Sequence, residues 1–416
     1  MNQTVQHDFA SFSVSRRTGL QGTYGCVFRP NIPCSEGKFS EESDNYISKI
    51  VDDAHINDEF HIISDWKLSK IDPDQKFIIY PIENCEIPED IDNRSIYNCD
   101  MLTETLDDFD IDNTTHKKEI KENMHNLFHN IIQKYGGKSL LDFRTTNRNI
   151  LKRFQCKDFV LMYLSLLKGI LLLYVNRLSH RDIKYPNVIV YEKDGVHLAK
   201  YIDLGLMAKF VDGVDEEENN WSEWTGTDYS YWPVDIDAYC SVEDGLYSQI
   251  KDDIDKSPNI NEKIIIIFNK AAEICNKYVR GRWTISKKHI ELMYKSYVRF
   301  LIDLFIHKKY DKDNLIDKEI QHKWDIFMLG ALFSEEIKNQ RLDDDDDGEY
   351  DEFNEDFGNL VSKMTNLHPI ERITMIDCVN EFMKIIKKHK VSLNISQRII
   401  DSNQDEIDKI LLKNHL

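Results

Sequence analysis

Apolar and polar residues alternate along Tyr46-Ile47-Ser48-Lys49-Ile50-Val51, a two-residue period that predicts a strand with Lys49 on one face. After it, Asp58-Glu59 opens an amphipathic segment through Ile62, Ile63, Trp66 and Leu68, which fits a helix. Asn130 to Gly137 reads as a strand that ends in a glycine-rich crossing. Phe159 to Val175 is the most apolar run. It is short for a membrane span and carries Lys168, so a buried helix is expected there. Val188-Ile189-Val190-Tyr191, the turn Glu192 to Gly195 and the run His197 to Ile202 predict a hairpin. The apolar run Ile264 to Phe268, with Ile290, Leu292, Met293, Tyr297, Phe300, Leu301 and Leu304, has the spacing of further helices. Beyond Lys390, the positions Ile399, Ile400, Ile407, Ile410 and Leu411 predict a last one.

Two stretches lack any period. Residues 83–121 are acidic and read as an insertion. Ten acidic residues fall between Asp343 and Asp356, a composition expected of a solvated loop.

Composition narrows the class. With 416 residues, 41% of them hydrophobic, the chain is long enough for two separate cores. A formal net charge of -20 repels phosphates, so nucleic-acid binding is not expected and a basic protein partner is. The eight cysteines (26, 34, 85, 99, 156, 240, 275 and 378) show no Cys-x-x-Cys pair, so reduced thiols are expected. Met1 to Ala10 has no apolar leader core, which fits a cytoplasmic protein with no membrane association.

The candidate chemistry sits in Ser179-His180-Arg181-Asp182-Ile183-Lys184-Tyr185-Pro186-Asn187, followed by Asp203-Leu204-Gly205. Transfer of a phosphoryl group needs an aligned acceptor hydroxyl, a carboxylate near its proton and Mg²⁺ held against the nucleotide phosphates. Asp182 and Asn187 stand five residues apart, so one tight loop can place a proton acceptor beside a metal-binding amide oxygen. The hairpin that follows would return Asp203, a second metal ligand, to that loop.

These segments resemble the protein kinase superfamily, serine/threonine type, and are similar to the kinases of large nucleocytoplasmic DNA viruses. The resemblance covers most of the chain. It implies an α+β, bilobal fold: a small β-rich lobe over residues 1–137, a larger helical lobe over 138–392 with inserted helices at about 240–322, and a tail helix over 393–416. It also implies ATP and Mg as cofactors, a protein substrate, and a location in the cytoplasm, or in host cytoplasm or the virion for a viral chain. Asp182 would orient the hydroxyl and take its proton, and Lys184 would neutralise the transferred charge. Asn187 and Asp203 would hold Mg.

Gly19-Leu20-Gln21-Gly22-Thr23-Tyr24-Gly25-Cys26-Val27 resembles the nucleotide loop, with Leu20 where the first glycine belongs and Val27 placed to cover adenine. Lys49 would contact the α- and β-phosphates, with Lys38 as its rival. Glu59 would pair with Lys49, or be a surface carboxylate. Backbone around Tyr135 would meet the adenine edge. Arg181 would receive an activation-segment phosphate, with Ser222, Thr225 and Tyr229 as acceptors. Thr227, or Thr225 in the other register, would brace Asp182. Asp235, one residue displaced from an Ala-Pro-Glu-like position, would pair with Arg372 of His368-Pro369-Ile370-Glu371-Arg372, and Asp325 would hold the catalytic-loop backbone. Two alternatives remain beside an active protein kinase: a pseudokinase scaffold and a small-molecule phosphotransferase.

Overall fold

The computed structural model describes residues 20–22, 25–53, 55–87, 128–146, 157–210, 232, 233, 235, 246–281, 287–310, 320–343 and 352–412. It is an α+β protein, with small antiparallel sheets in its N-terminal part and a helical C-terminal part. The chain divides into two compact units, Met1–Thr146 with Ile202–Gly205, and Asn147–Tyr201 with Leu206–Leu416. The division thus falls after Thr146 rather than at residue 137, and the short Ile202–Gly205 segment belongs to the first unit.

The first unit is built on a five-stranded antiparallel sheet of order β1-β2-β3-β5-β4. Its strands are β1 (Leu20–Gly22), β2 (Gly25–Phe28), β3 (Tyr46–Asp52), β4 (Glu83–Cys85) and β5 (Phe128–Lys134). Gly25 is obligatory here, because a Cβ would stand 2.6 Å from the Ile50 carbonyl oxygen on β3. One sheet face carries Val51 and Ile131 and packs Ile56 with Phe60. Phe60 belongs to a wide helical turn, Asn57–His61, which continues as the single α-turn α1 (Ile62–Asp65). Another short turn, α2 (Leu68–Ile71), follows. The other face carries Ile132, which packs Cys34 and Phe39 with Tyr46, Ile82 and Cys85 around it. Strand β6 (Lys138–Ser139) and helix α3 (Leu140–Thr146) complete the unit.

The expectation of reduced thiols is overturned in this unit. Cys34 and Cys85, 51 residues apart, form a disulfide, and Cys26 is disulfide-bonded as well. Neither half of the first pair sits in a motif; one lies in the β2–β3 connection and the other ends an edge strand. Only the fold brings them together. Cys275 and Cys378 are free and buried.

The second unit is organised around α4 (Lys157–Val175), the apolar run of the sequence, which is the one described helix long and apolar enough to cross a membrane. Here 83% of its apolar stretch is buried inside the protein. Phe159 and Tyr163 on α4 meet Phe333 and Phe357 edge-on, and Tyr163 also meets Phe382. Truncating a fully buried aromatic of this kind typically costs about 3–5 kcal/mol. Lys168, 6% exposed, is accommodated by hydrogen bonds to Asn403 Oδ1 and Glu406 Oε2, both at 2.7 Å, on the last helix.

Strand β7 (Leu178–Ser179) pairs with β10 (Ala208–Lys209), and β8 (Val188–Lys193) pairs with β9 (Val196–Tyr201) in the expected hairpin. The inserted segment contributes α5 (Leu246–Lys256), α6 (Ile260–Gly281) and α7 (Lys287–Phe305), with α6 packed on both neighbours. Then come α8 (Trp324–Asp343), α9 (Glu352–Met364), α10 (Met375–His389) and α11 (Gln397–Leu412). Gly330 lets α8 close on α9: a Cβ there would meet Met364 Cβ at 2.8 Å. The end of the acidic run, expected to be loop, is the first turn of α9, because Phe353 and Phe357 give it a buried face.

Candidate functional site

In the first unit, the register of the sheet sets Lys49 opposite Val27 on β2 and Ile131 on β5. Alternation puts it on the face covered by the Asn57–His61 turn. From that turn Glu59, which is buried, reaches Lys49 Nζ at 2.5 Å. The ten-residue interval that makes this pairing hard to read in sequence is spanned because the turn is wider than an α-helical one and begins soon after β3 ends. Asp203, 154 positions along the chain from Lys49, places Oδ1 3.2 Å from the same ammonium. Burial by itself lowers the Lys49 pKa, but the carboxylates of Asp203 and Glu59 outweigh it and hold the group above its ordinary value. The side chain is therefore a fixed cation at any physiological pH. Gly205 lies alongside: a Cβ on it would be 3.4 Å from Glu59 Oε1, an ordinary van der Waals contact.

Asp203 has φ of +62°, a left-handed conformation that costs a non-glycine residue roughly 1 kcal/mol or more. Its side chain is 36% exposed, so a carboxylate is held in an unusual backbone state with open access. Of the loop residues, Leu20 pairs with Val27 and Gly22 with Gly25, while Gly19, Thr23 and Tyr24 lie outside the described residues. Tyr135 differs from expectation in one respect. Its N–H donates to the Asn45 carbonyl at 2.8 Å and its ring lies beneath the Arg29 guanidinium. The rival cation, Lys38, is exposed in the β2–β3 connection.

The second unit holds the other constellation. Asp182 and Asn187 are both buried, and Asn187 Nδ2 donates to Asp182 Oδ2 at 2.7 Å and to the Asp182 carbonyl at 3.0 Å. Lys184 Nζ stands 2.9 Å from the same Oδ2. One carboxylate oxygen is thus fixed from two sides. The loop that carries these groups is pinned from beneath by Asp325, at the start of α8, whose two oxygens accept from His180 N at 2.7 Å and Arg181 N at 2.9 Å. Arg181 has φ of +65°, and its carbonyl accepts from Trp232 Nε1 at 3.2 Å. His180 Nδ1 accepts from Asp182 N, and Tyr185 Oη donates to the Leu332 carbonyl, so α8 holds the loop at both ends. A strained residue persists only where its surroundings over-determine it, and these bonds do so.

Asp235 and Arg372 form the expected ion pair with both side chains fully buried. Arg372 Nη2 lies 2.5 Å from Oδ1 and Nη1 3.3 Å from Oδ2, and Trp324 Nε1 donates to Oδ2 at 2.9 Å. Arg372 Nε also donates to the Asn366 carbonyl, while its guanidinium covers the Phe327 ring at 4.7 Å. Thr227 lies outside the described residues, as do the segment positions Ser222, Thr225 and Tyr229. Sequence reading assigned no role to Trp232 or Trp324. The signal was their place beside Pro233 and Asp325, since a buried indole N–H seeks an acceptor.

The two constellations are therefore Lys49, Glu59 and Asp203 in the first unit, and Asp182, Lys184 and Asn187 in the second. Among the described residues no three His, Cys, Asp or Glu side chains are grouped to hold a metal by themselves. No protein-family model matches the chain, and no curated protein matches it either.

Proposed function

We propose that this protein is an ATP- and Mg-dependent serine/threonine protein kinase, its first unit the β-rich small lobe and its second the helical large lobe of a bilobal kinase fold. The observation that carries the reading is the ammonium of Lys49 held at once by Glu59 and Asp203, residues from three separate segments. Such a group is a ready electrostatic clamp for nucleotide phosphates.

The donor set suits Mg. Asn187 commits its amide nitrogen to Asp182, which leaves its oxygen as the ligand atom, and Asp203 is an accessible carboxylate. A magnesium site needs only one or two such protein ligands when substrate phosphates supply the others. When bound, the ion would neutralise charge on the phosphates. Asp182 would orient the acceptor hydroxyl and take its proton, while Lys184, already beside that carboxylate, would offset charge on the group in transit. Asp325 keeps the Asp182 loop rigid, so the chemistry demands little reorganisation.

The test is incubation of the pure protein with labelled ATP, Mg²⁺ and a basic protein acceptor. Asp182→Asn should bind nucleotide as the parent does and lose roughly 10²–10⁴ of transfer. Equal phosphorylation by that variant would reject the assignment. A pseudokinase scaffold is the second reading, favoured by Leu20 in the loop and by the Tyr135 N–H already spent on Asn45. In that case the parent protein itself would transfer nothing.

A further inference from the structure

The apolar run Ile264 to Phe268 is longer than one face of a helix can hold. On α6 it turns Ile267 inward with Ala271, Ile274 and Cys275, all buried, and leaves Ile265 and Phe268 outside. Ile260, Ile265 and Phe268 are 50%, 58% and 42% exposed, so three of the large apolar side chains that face solvent among the described residues sit on this one helix. Asn261, Ile265, Phe268 and Ala272 follow one another at intervals of four, three and four residues, the spacing of a helix-pairing seam. Asn269 and Asn276, both exposed, widen the stripe, and no charged residue interrupts it. In a chain of which 30% is charged, an uncharged exposed stripe with an apolar centre marks a contact surface.

The helix presents this stripe firmly. Asn259 Oδ1 accepts from Glu262 N at 3.0 Å and Asn259 Nδ2 donates to Glu262 Oε1 at 2.9 Å, a reciprocal cap on the first turn. The Phe268 ring is steadied by the Tyr294 ring on α7, 6.3 Å away centre to centre. Glu262 and Glu273 border the stripe on one flank, and Lys270 leans towards that flank, its Nζ 3.5 Å from Glu273 Oε2.

We propose that this stripe pairs with the same stripe of a second copy of the chain, α6 lying antiparallel to α6. A two-fold axis crossing the helix between Ile265 and Phe268 sets Ile265 of each copy on Phe268 of the other and Asn261 on Ala272, while Glu262 arrives beside the other copy's Lys270. The patch complements itself about one point, in its apolar groups and in its charges, as an isologous contact requires. Asparagine amides both donate and accept, so they can meet a copy of the same face without leaving a group unpaired. A stripe without charge also lets two bodies of net charge -20 come together. A strongly basic or acidic partner finds no row of opposite charges here.

The test is sedimentation equilibrium of the full chain under non-reducing conditions over a wide range of concentration. The average mass should climb from one copy to two and stop there. Raising sodium chloride from about 0.05 to about 0.5 M should strengthen the association, because it screens the repulsion of like net charges. Phe268→Asp should weaken it on the order of tenfold or more, and Ile265→Asn, at a position 58% exposed, should act likewise without moving the thermal midpoint. Glu262→Lys and Lys270→Glu should each weaken it, and the protein carrying both should return to within about twofold of the parent. A mass of one copy at every concentration, growth beyond two, weakening by salt, or association untouched by Phe268→Asp and Ile265→Asn overturns the proposal. So does a charge-swapped double variant no tighter than the singles, which would put the contact in another register. The readout is self-association alone, so its failure leaves the kinase reading standing.

Discussion

Replacing Arg372 by Met removes one half of a fully buried ion pair. Both side chains are 0% exposed, so Asp235 would lose two guanidinium contacts and retain Trp324 Nε1 as a donor. Breaking one partner of such a pair costs about 3–5 kcal/mol, whereas replacing both by apolar groups of similar volume is often neutral. The variant also strips the Asn366 carbonyl of its donor. With an unfolding slope of about 3 kcal/mol per molar urea, the loss should move the midpoint down by roughly 1 M or more. Urea titration followed by tryptophan fluorescence, with Trp324 in direct contact, reads this shift. The doubly substituted Asp235→Leu, Arg372→Met protein should recover most of it. If the single variant unfolds at the parent midpoint, or the double variant is no better than the single, the pair is not what holds this part of the unit together.

Glu59→Gln keeps a hydrogen-bonding group beside Lys49 but removes one of the two charges that position it, and transfer should fall on the order of 100-fold with little change in thermal midpoint. Cys85→Ser should destabilise the first unit by up to about 4 kcal/mol, the chain-entropy value for a loop of 51 residues, and calorimetry of the variant beside the parent under non-reducing conditions checks it. Burial pushes His322 and His368 down from 6.5 to about 4 in the folded protein. Between those values the unfolded chain takes up protons that the folded one refuses. Stability is therefore complete above about pH 6.5 and falls on acidification towards 4, with up to about 1.4 kcal/mol lost per pH unit for each histidine. His322→Phe, which preserves the ring packed near Tyr174 and Phe210, should make the acid limb of a stability–pH curve shallower.

What sequence could reveal was governed by whether the signal is local. The α4 run, the β8–β9 hairpin and Lys49 on β3 are fixed by period and turn chemistry within a few residues, and the structure has all of them. Asp182 with Asn187 also lies in one short loop. Asp235 and Arg372 are 137 positions apart, and only their resemblance to an ordered set of motifs linked them. The cysteine pairs had no such aid: spacing says nothing about which thiols a sheet and its connections bring together. The Lys49–Glu59 pairing is hard to read because ten residues is a short interval for it, and the chain delivers Glu59 from a turn wider than an α-helical one. Phe353 and Phe357 were masked by the surrounding carboxylates, although their four-residue spacing is the mark of a buried helical face.

The bonds from Lys168 to the last helix have a consequence for synthesis. The amine enters the heart of the second unit on α4, yet Glu406, which neutralises it, is made 238 residues later. A ribosome adding about 5–20 residues per second needs on the order of ten seconds or more to cover that distance. Throughout that interval α4 lacks two of the acceptors that make its burial tolerable. The nascent second unit should therefore stay loosely collapsed and chaperone-dependent until its closing helix has emerged.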